Sequence, residues 1–333
     1  MEAVVDAVPA PAAGEALVTV AVSAVSAGTE LLIYRGLAPP DMPMDAALPA
    51  LAGTFRFPLR YGYAAAGTVT AAGRKVDPDW VGRRVFGFCP HASHVLAEPA
   101  RLVPIPDDLS WRDAVFLANM ETAVTLVLDG RPALGEHVVV FGQGVVGLLT
   151  TALLAAAPLA SLLAVEPLAL RRAAALQAGA QAAFDPAETA GLMDHLDRAA
   201  GARLADLVFE LSGRPPVLDA AVAVAGFGAR VVVGSWYGTA PVCLDLGGRF
   251  HRSRIRLIGS QVSTLPPAFM ARWDSQRRLD TAWAMIRRAA PSRWISHEVP
   301  VERAAEAYAL LDQHPGETLQ VVLSYGGNDD SQS

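Results

Sequence analysis

Three glycines at a fixed spacing give the sequence its clearest chemical signal. Gly142, Gly144 and Gly147 form the pattern G-x-G-x-x-G between the apolar run 138–141 and the helix-forming run 148–157. In such a strand-to-helix turn the first glycine permits the turn and the second leaves no Cβ between the backbone and a pyrophosphate. The third lets the helix lie close to the strand. The pattern therefore predicts a dinucleotide-binding loop.

Residues around and after this loop indicate which dinucleotide it would hold. The amides at the helix start, around Val145 and Val146, would face the phosphates with the positive end of the helix dipole behind them. Glu166 ends the next apolar run, 161–165, where a carboxylate can accept both ribose hydroxyls of an adenosine. Arg171 and Arg172 lie shortly after it and could instead neutralise a 2′-phosphate, so we expect NAD and leave NADP open. The plainer alternative is a structural glycine-rich turn, with Glu166 only capping the next helix.

Bulk composition excludes several classes of protein. The 333 residues are 52% apolar and 18% charged, which is typical of a globular protein with room for two domains. The net charge of −6 and the absence of basic clusters argue against nucleic acid or an anionic membrane as a partner. Two cysteines, Cys89 and Cys243, cannot make a disulfide framework or a cysteine-rich zinc site. We find no targeting signal and expect a soluble cytoplasmic protein.

Periodicity divides the chain into two kinds of structure. The first part is β-rich and carries an irregular proline-rich insert at 36–62, with strands predicted at 17–25, 63–71, 84–88 and 93–97. A helix is predicted over 110–130, and helical segments then alternate with strands at 138–141, 161–165, 182–185, 206–212, 229–235 and 255–261. This alternation is typical of an α/β fold with a doubly wound parallel sheet, which also explains the charge-free run 138–165 without a membrane span. The rest of the chain is predicted to form helices at 272–288 and 301–311, a strand at 319–324 and a disordered tail at 326–333.

Four stretches carry a resemblance to a known family. They are Gly62–Val69 (GYAAAGTV), Val81–Val85 (VGRRV), Leu102–Leu109 (LVPIPDDL) and the glycine loop 138–147. With these, the chain resembles the medium-chain dehydrogenase/reductase superfamily, whose type is the zinc alcohol dehydrogenase, and within it the threonine-dehydrogenase-like and bacteriochlorophyllide-dehydrogenase-like group. The resemblance implies a Rossmann dinucleotide-binding domain at 121–262 and a GroES-like catalytic domain at 1–120 and 263–333. It also suggests a homodimer.

The sequence departs from this family at the catalytic metal. The resemblance places the positions of the zinc ligands and their neighbouring glutamate on Ala27, Tyr63, Ala64 and Asn119, none of which suits a tetrahedral zinc site. We therefore expect no zinc. The segment 88–94 supplies Cys89, His91 and His94 as an alternative metal site. The strand predicted from Ser93 would point the two histidines to opposite faces, which disfavours it.

Without a metal, side-chain donors must stabilise the negative charge that develops on a carbonyl oxygen during hydride transfer. Tyr63, at the position of the ligand histidine, and His91 are the candidates. Thr29 falls where the family keeps a hydroxyl that begins a proton relay, although a plain turn residue is equally compatible. Glu30 is expected to brace that turn. Tyr63 could alternatively be a packed aromatic residue with its hydroxyl at the rim.

Several residues are expected on the cofactor side. They lie at the carboxyl ends of predicted strands or at the family's nicotinamide position: Thr122, Ser212, Val233, Ser235 and Gln261. The leading hypothesis is a zinc-independent, NAD(P)(H)-dependent oxidoreductase that interconverts an alcohol and a carbonyl of a small-molecule substrate. Reduction of a polarised C=C or C=N bond and a non-catalytic dinucleotide-binding protein are the alternatives.

Overall fold

The computed structural model of the chain describes residues 1–44, 51–200 and 204–326. The strands are β1 Ala16–Ala24, β2 Ala65–Ala72, β3 Arg84–Gly87, β4 His94–Ala97, β5 Leu102–Pro104, β6 His137–Phe141, β7 Ser161–Val165, β8 Ala182–Phe184, β9 Ala205–Glu210, β10 Ala225–Val233, β11 Arg256–Gly259, β12 Ile295–Pro300 and β13 Gln320–Ser324. The helices are α1 Ala27–Tyr34, α2 Trp111–Ala114, α3 Leu117–Gly130, α4 Val145–Leu154, α5 Ala169–Gln177, α6 Thr189–Ala200, α7 Pro215–Ala223, α8 Ser275–Ala289 and α9 Ala304–Gln313.

The chain divides into two compact units, residues 1–118 with 290–333 and residues 119–289. The first boundary lies close to the one expected from the sequence at 120. The second differs from the expected position at 262, because α8 packs against α4 and so belongs to the second unit.

The first unit is built on a seven-stranded sheet. Its order is β12-β13-β1-β2-β3-β5, and β4 pairs with β1. The alternating apolar residues of β1 are buried, as their period of two requires. Strand β13 runs antiparallel to β1 with Val22 opposite Ser324. The end of the chain therefore completes a sheet that its beginning starts.

The second unit is an all-parallel sheet of six strands in the order β11-β10-β9-β6-β7-β8. Val138, Val139 and Val140 are fully buried, as are Leu163 and Ala164 in the neighbouring strand. Covered on both faces, parallel strands need apolar side chains at every position. This accounts for the charge-free run at 138–165, and none of the described helices is both long and apolar enough to cross a bilayer.

Several sequence predictions need correction. Residues 27–30 begin helix α1 rather than forming a plain turn. The single helix expected over 110–130 is two helices, α2 and α3, although Ser110 caps the first as predicted by accepting the amide of Asp113 at 3.0 Å. Strand β12 was not anticipated. Part of the proline-rich insert, 45–50, and most of the expected tail, 327–333, lie outside the described residues.

Candidate functional site

The glycine loop adopts the strand-turn-helix geometry that its spacing predicts. Gly142 follows β6 with a φ of +85°, and a Cβ there would lie 2.6 Å from the backbone of Leu211. A Cβ at Gly147 would overlap the carbonyl oxygen of Gly142. A Cβ at Gly144, in contrast, would meet no atom within 4 Å. Two of the glycines are therefore required by packing, and the third faces open space.

Helix α4 begins directly at this open position. Gly144 is its N-cap and makes no side-chain capping bond. Residues 144–146 are half-buried, whereas the residues on either side of them are buried. The first turn at Val145 and Val146 is thus less buried than the turn that follows it, and it lies at the end of the helix where the dipole favours an anion.

Glu166 ties the loop to the end of the neighbouring strand β7. Its Oε2 accepts the amide of Gln143 at 2.8 Å and its Oε1 accepts the amide of Leu168 at 3.1 Å. Each carboxylate oxygen can accept a further hydrogen bond. Burial lowers the pKa of Arg171, and the charge of Glu166 opposes that effect. The structure therefore brings Glu166 and Arg171 together beside the glycine loop.

The sequence leaves Arg172 open as a partner for a 2′-phosphate, but in the structure it bonds to the ends of two strands. Its Nη1 donates to the carbonyl oxygen of Glu166 at 2.8 Å and to Asp185 at 2.9 Å. It braces the ends of β7 and β8, which leaves Arg171 as the arginine of this pair beside the Glu166 charge.

A buried carboxylate that the sequence analysis missed lies at the end of β9. Glu210 is fully buried, and its Oε1 accepts the amide of Ser212 at 2.9 Å together with the hydroxyl of that serine. Its Oε2 accepts the Tyr237 hydroxyl, and burial together with this carboxylate raises the pKa of Tyr237. In the sequence, the signal for Glu210 is a charged residue at the end of the mostly apolar run ADLVFE.

Three residues predicted for the cofactor side lie around this carboxylate. Ser212 donates to it, Val233 is its partner in register on β10, and the Ser235 hydroxyl accepts the amide of Gly213 at 2.8 Å. The Cα of Ser212 would also lie 2.6 Å from a Cβ at Gly142. The carboxyl ends of β6 and β9 thus meet at the glycine loop.

The remaining cofactor-side candidates lie elsewhere in the second unit. Gln261 follows the edge strand β11, is exposed, and bonds to Ser263 through both ends of its amide. Thr122 lies near the start of α3, next to Glu121. That carboxylate is buried and pairs with Arg278 at 3.1 Å; burial raises its pKa, and Arg278 counteracts this.

In the first unit, Glu30 is the centre of a buried hydrogen-bond network. Its Oε2 accepts His91 Nε2 at 3.0 Å and the Tyr308 hydroxyl, and its Oε1 accepts the amide of Ser26 at 2.7 Å. Burial alone would raise the pKa of Glu30, but His91 and these hydrogen bonds more than offset it and the pKa is lowered. Glu30 therefore braces the start of α1 as a carboxylate, as expected.

His91 is fully engaged in this network. Its Nδ1 lies 2.7 Å from the Ser23 hydroxyl, which also lies 2.7 Å from the hydroxyl of Tyr325. A Cβ at Gly62 would come within 2.8 Å of the imidazole. Both ring nitrogens of His91 thus have protein partners, so the structure places it as a support rather than as a free donor.

Tyr63 and Thr29, the other two catalytic candidates, lie together at the start of α1. The Tyr63 hydroxyl donates to the hydroxyl of Ser26. Burial raises the pKa of Tyr63, while hydrogen bonds to Ser26 and Thr29 act in the opposite direction. Thr29 is half-buried next to the exposed Gly28. The structure therefore brings two hydroxyl groups, those of Ser26 and Thr29, to one phenol.

The residues of the first unit do not fit a zinc ion. Among the described residues no group of three His, Cys, Asp or Glu side chains is arranged to hold a metal. Burial raises the pKa of Cys89 to about 12, and its thiol donates to the carbonyl oxygen of Gly87 at 3.5 Å. His91 and Glu30 are bonded to each other. The alternative site at 88–94 therefore lacks the ligands that zinc requires.

Known proteins match both units. Residues 145–275 match the family model described as zinc-binding dehydrogenase. D-guloside 3-dehydrogenase of Escherichia coli K12 is 24% identical over 332 residues, covering 94% of this chain and 93% of that protein. The 2-desacetyl-2-hydroxyethyl bacteriochlorophyllide A dehydrogenase of Cereibacter sphaeroides is 27% identical over 337 residues, covering 95% and 92%.

The chain is similar over most of its length to medium-chain dehydrogenases/reductases of the zinc alcohol dehydrogenase type. The expected α/β fold is confirmed by the crystal structure of an alcohol dehydrogenase from E. coli CFT073 complexed with NADH. It superposes with a TM-score of 0.73 at 19% identity and covers 95% of this chain and 94% of that one. The named relatives are dehydrogenases, which supports an NAD(P)-dependent oxidoreductase activity for this chain.

Proposed function

We propose that this chain is a medium-chain dehydrogenase/reductase that interconverts an alcohol and a carbonyl without zinc, using the phenol of Tyr63 in place of the metal. The observation that carries the proposal is the position of that phenol. The resemblance puts Tyr63 at the family's ligand-histidine position, the residue is half-buried, and its hydroxyl is hydrogen-bonded to those of Ser26 and Thr29. A half-buried phenol with two hydroxyl neighbours can donate and recover a proton.

Bound NADH would supply the hydride to the carbonyl carbon. As negative charge develops on the carbonyl oxygen, the Tyr63 hydroxyl donates its proton to that oxygen and becomes a phenolate. Thr29 hydrogen-bonds the phenol and is half-exposed, so it connects the phenolate to solvent for reprotonation. In alcohol oxidation the same groups carry the proton in the opposite direction.

We propose NAD as the cofactor. Glu166 is buried beside the glycine loop, each of its oxygens accepts a backbone amide and can by its chemistry accept a further hydrogen bond, and its charge would repel a 2′-phosphate. Arg171 interacts electrostatically with the Glu166 carboxylate. This interaction makes the Arg171 guanidinium less available to a 2′-phosphate. The geometry therefore favours ribose hydroxyls at this position.

A small hydroxylated molecule is the substrate class that we propose. Its support is the activity of the relatives, a D-guloside 3-dehydrogenase and a 2-desacetyl-2-hydroxyethyl bacteriochlorophyllide A dehydrogenase. Both names describe oxidation of a hydroxyl group on a larger molecule. A panel of sugar alcohols, glycosides and hydroxyethyl compounds is therefore the first choice for a search.

Replacement of Tyr63 tests the proposal. We expect Tyr63→Phe to lower turnover by about 10²- to 10⁴-fold, the range for loss of a general acid, while the affinity for NADH is unchanged. Tyr61→Phe is the matched control, because it removes a hydroxyl from the ring that stacks edge-on against Tyr63 at 6.1 Å. Metal analysis of the purified protein should give substoichiometric zinc, and chelators should leave activity intact.

Two results would overturn the proposal: tightly held stoichiometric zinc, or a Tyr63→Phe enzyme with full turnover. Product analysis with deuterated NADH identifies the bond that is reduced. Deuterium on a carbinol carbon supports carbonyl reduction, and deuterium at a former C=C or C=N bond contradicts it.

A further inference from the structure

Ser26 occupies the N-cap position of α1 but does not cap the helix. A serine at this position normally accepts an amide of the first helical turn through its hydroxyl. Here the side chain makes no capping hydrogen bond, and the backbone has a ψ of 85°. A favourable local interaction is therefore not made at this residue.

The hydroxyl of Ser26 is committed to Tyr63 instead. It accepts the phenolic proton, and the residue is buried. Its backbone is held at the same time, because its amide donates to Glu30 at 2.7 Å. Glu30 is in turn fixed by His91 and Tyr308. A rigid buried network thus sets the place of this one hydroxyl.

We infer that Ser26 is a positioning residue for Tyr63, orienting the phenol and donating a hydrogen bond to its oxygen once the proton has passed to the substrate. The Ser26 proton stays on its own oxygen; only the O–H bond rotates toward the phenolate. The phenolate recovers its proton from solvent past Thr29. This inference rests on the proposed function, in which Tyr63 is the proton donor.

The electrostatics of the site agree with this role. Burial raises the pKa of Tyr63 and the nearby Glu30 charge adds to it, whereas the hydroxyls of Ser26 and Thr29 lower it. The Ser26 hydroxyl accepts the phenolic proton of Tyr63. Removing this hydroxyl therefore takes away one of the two groups that favour the phenolate.

The test measures the titration of Tyr63 directly and needs no substrate. The protein is labelled with 3-fluorotyrosine, whose phenol titrates at lower pH than tyrosine, and the ¹⁹F resonance missing in Tyr63→Phe is assigned to Tyr63. We expect Ser26→Ala to raise the pKa of this phenol by about one unit, the effect of one lost hydrogen bond. Ser26→Thr should restore the original value.

Ser23→Ala is the matched control. It removes another buried hydroxyl from the same stretch of chain, but its partners are His91 and Tyr325. Its Tyr63 titration should match that of the unmodified protein. Ser26→Gly provides a second variant without the hydroxyl, because glycine is nearly as good an N-cap as serine and preserves the fold.

The outcomes separate this inference from the proposed function. An unchanged Tyr63 titration in both Ser26→Ala and Ser26→Gly overturns the role of Ser26, even if Tyr63→Phe is inactive. Full turnover in Tyr63→Phe overturns the proposed function, whatever the titration shows. Once a substrate is known, the rate of alcohol oxidation should also rise at a higher pH in Ser26→Ala than in the unmodified protein. At high pH the two proteins should reach the same rate.

Discussion

At the scale of single residues, Glu166 decides the choice of cofactor. We expect Glu166→Ala to weaken NAD binding by about 1 to 3 kcal/mol, because the ribose hydroxyls lose a charged acceptor. The residue also accepts the amides of Gln143 and Leu168, so its loss disturbs the loop itself. Titrations with NAD and with NADP, followed by protein fluorescence, separate the two effects.

If Glu166 recognises the ribose, Glu166→Ala weakens NAD while NADP binding holds or improves. An equal loss for both nucleotides would instead assign the residue to loop structure alone. Glu136→Ala is a suitable control, because it removes a carboxylate from the start of β6, away from the glycine loop at the other end of that strand.

Residue identity along the chain was enough to predict the geometry of the glycine loop and to name Glu166 and Tyr63 as candidates. These signals are local, since each follows from spacing or from a family position. The partners of Tyr63 and His91 could not be predicted, because Ser26 and Ser23 reach them across long stretches of sequence. Spacing identifies candidates for chemistry, whereas hydrogen-bond partners depend on tertiary packing.

At the scale of elements, the turn between β6 and α4 offers a pair of matched substitutions. A Cβ at Gly144 meets nothing within 4 Å, whereas one at Gly147 overlaps the Gly142 carbonyl. We expect Gly144→Ala to keep the melting temperature and weaken NADH binding, because the methyl group fills space meant for the pyrophosphate. Gly147→Ala should lower the melting temperature, since α4 must move away from β6.

Calorimetry gives both quantities for each variant. Undiminished NADH affinity in Gly144→Ala would show that the open position is not the phosphate site. A stable, tightly packed Gly147→Ala would show that the helix can shift without cost.

Element prediction succeeded where burial imposes a period and failed where it does not. The parallel strands of the second unit are mostly apolar and were found by composition. Strand β12 alternates half-buried and exposed residues and ends in proline, which gives no such signal. Helix α1 carries an internal glycine. Its start depends on the hydrogen bond from the Ser26 amide to Glu30, which no local sequence pattern predicts.

At the scale of the whole molecule, the Glu30 network assembles the first unit from both ends of the chain. Ser23, Glu30 and His91 come from the beginning, and Tyr308 and Tyr325 from the return segment after α8. The sheet is closed in the same way, by β13 beside β1. Folding of this unit therefore depends on a polar cluster whose members are separated by nearly the whole sequence.

This arrangement predicts a pH-dependent stability. The pKa of Glu30 is lower in the folded protein than its unfolded value of about 4.3, so the unfolded chain binds the proton more readily. The stabilisation is complete above about pH 5 and is lost as the pH falls through the folded-state pKa. We expect Glu30→Gln to cost about 3 kcal/mol at pH 7, because His91 loses its buried charged partner, and progressively less in acid.

Urea unfolding followed by circular dichroism at pH 7 and at acid pH measures this difference. The control is Glu306→Gln, which removes a carboxylate on α9 that is also held at a low pKa, by Arg303, but is fully exposed. Because solvent screens that pair, its loss should change stability little at either pH. If the loss of unfolding free energy in Glu30→Gln were the same at both pH values, Glu30 would act through its shape and hydrogen bonds and not through its charge.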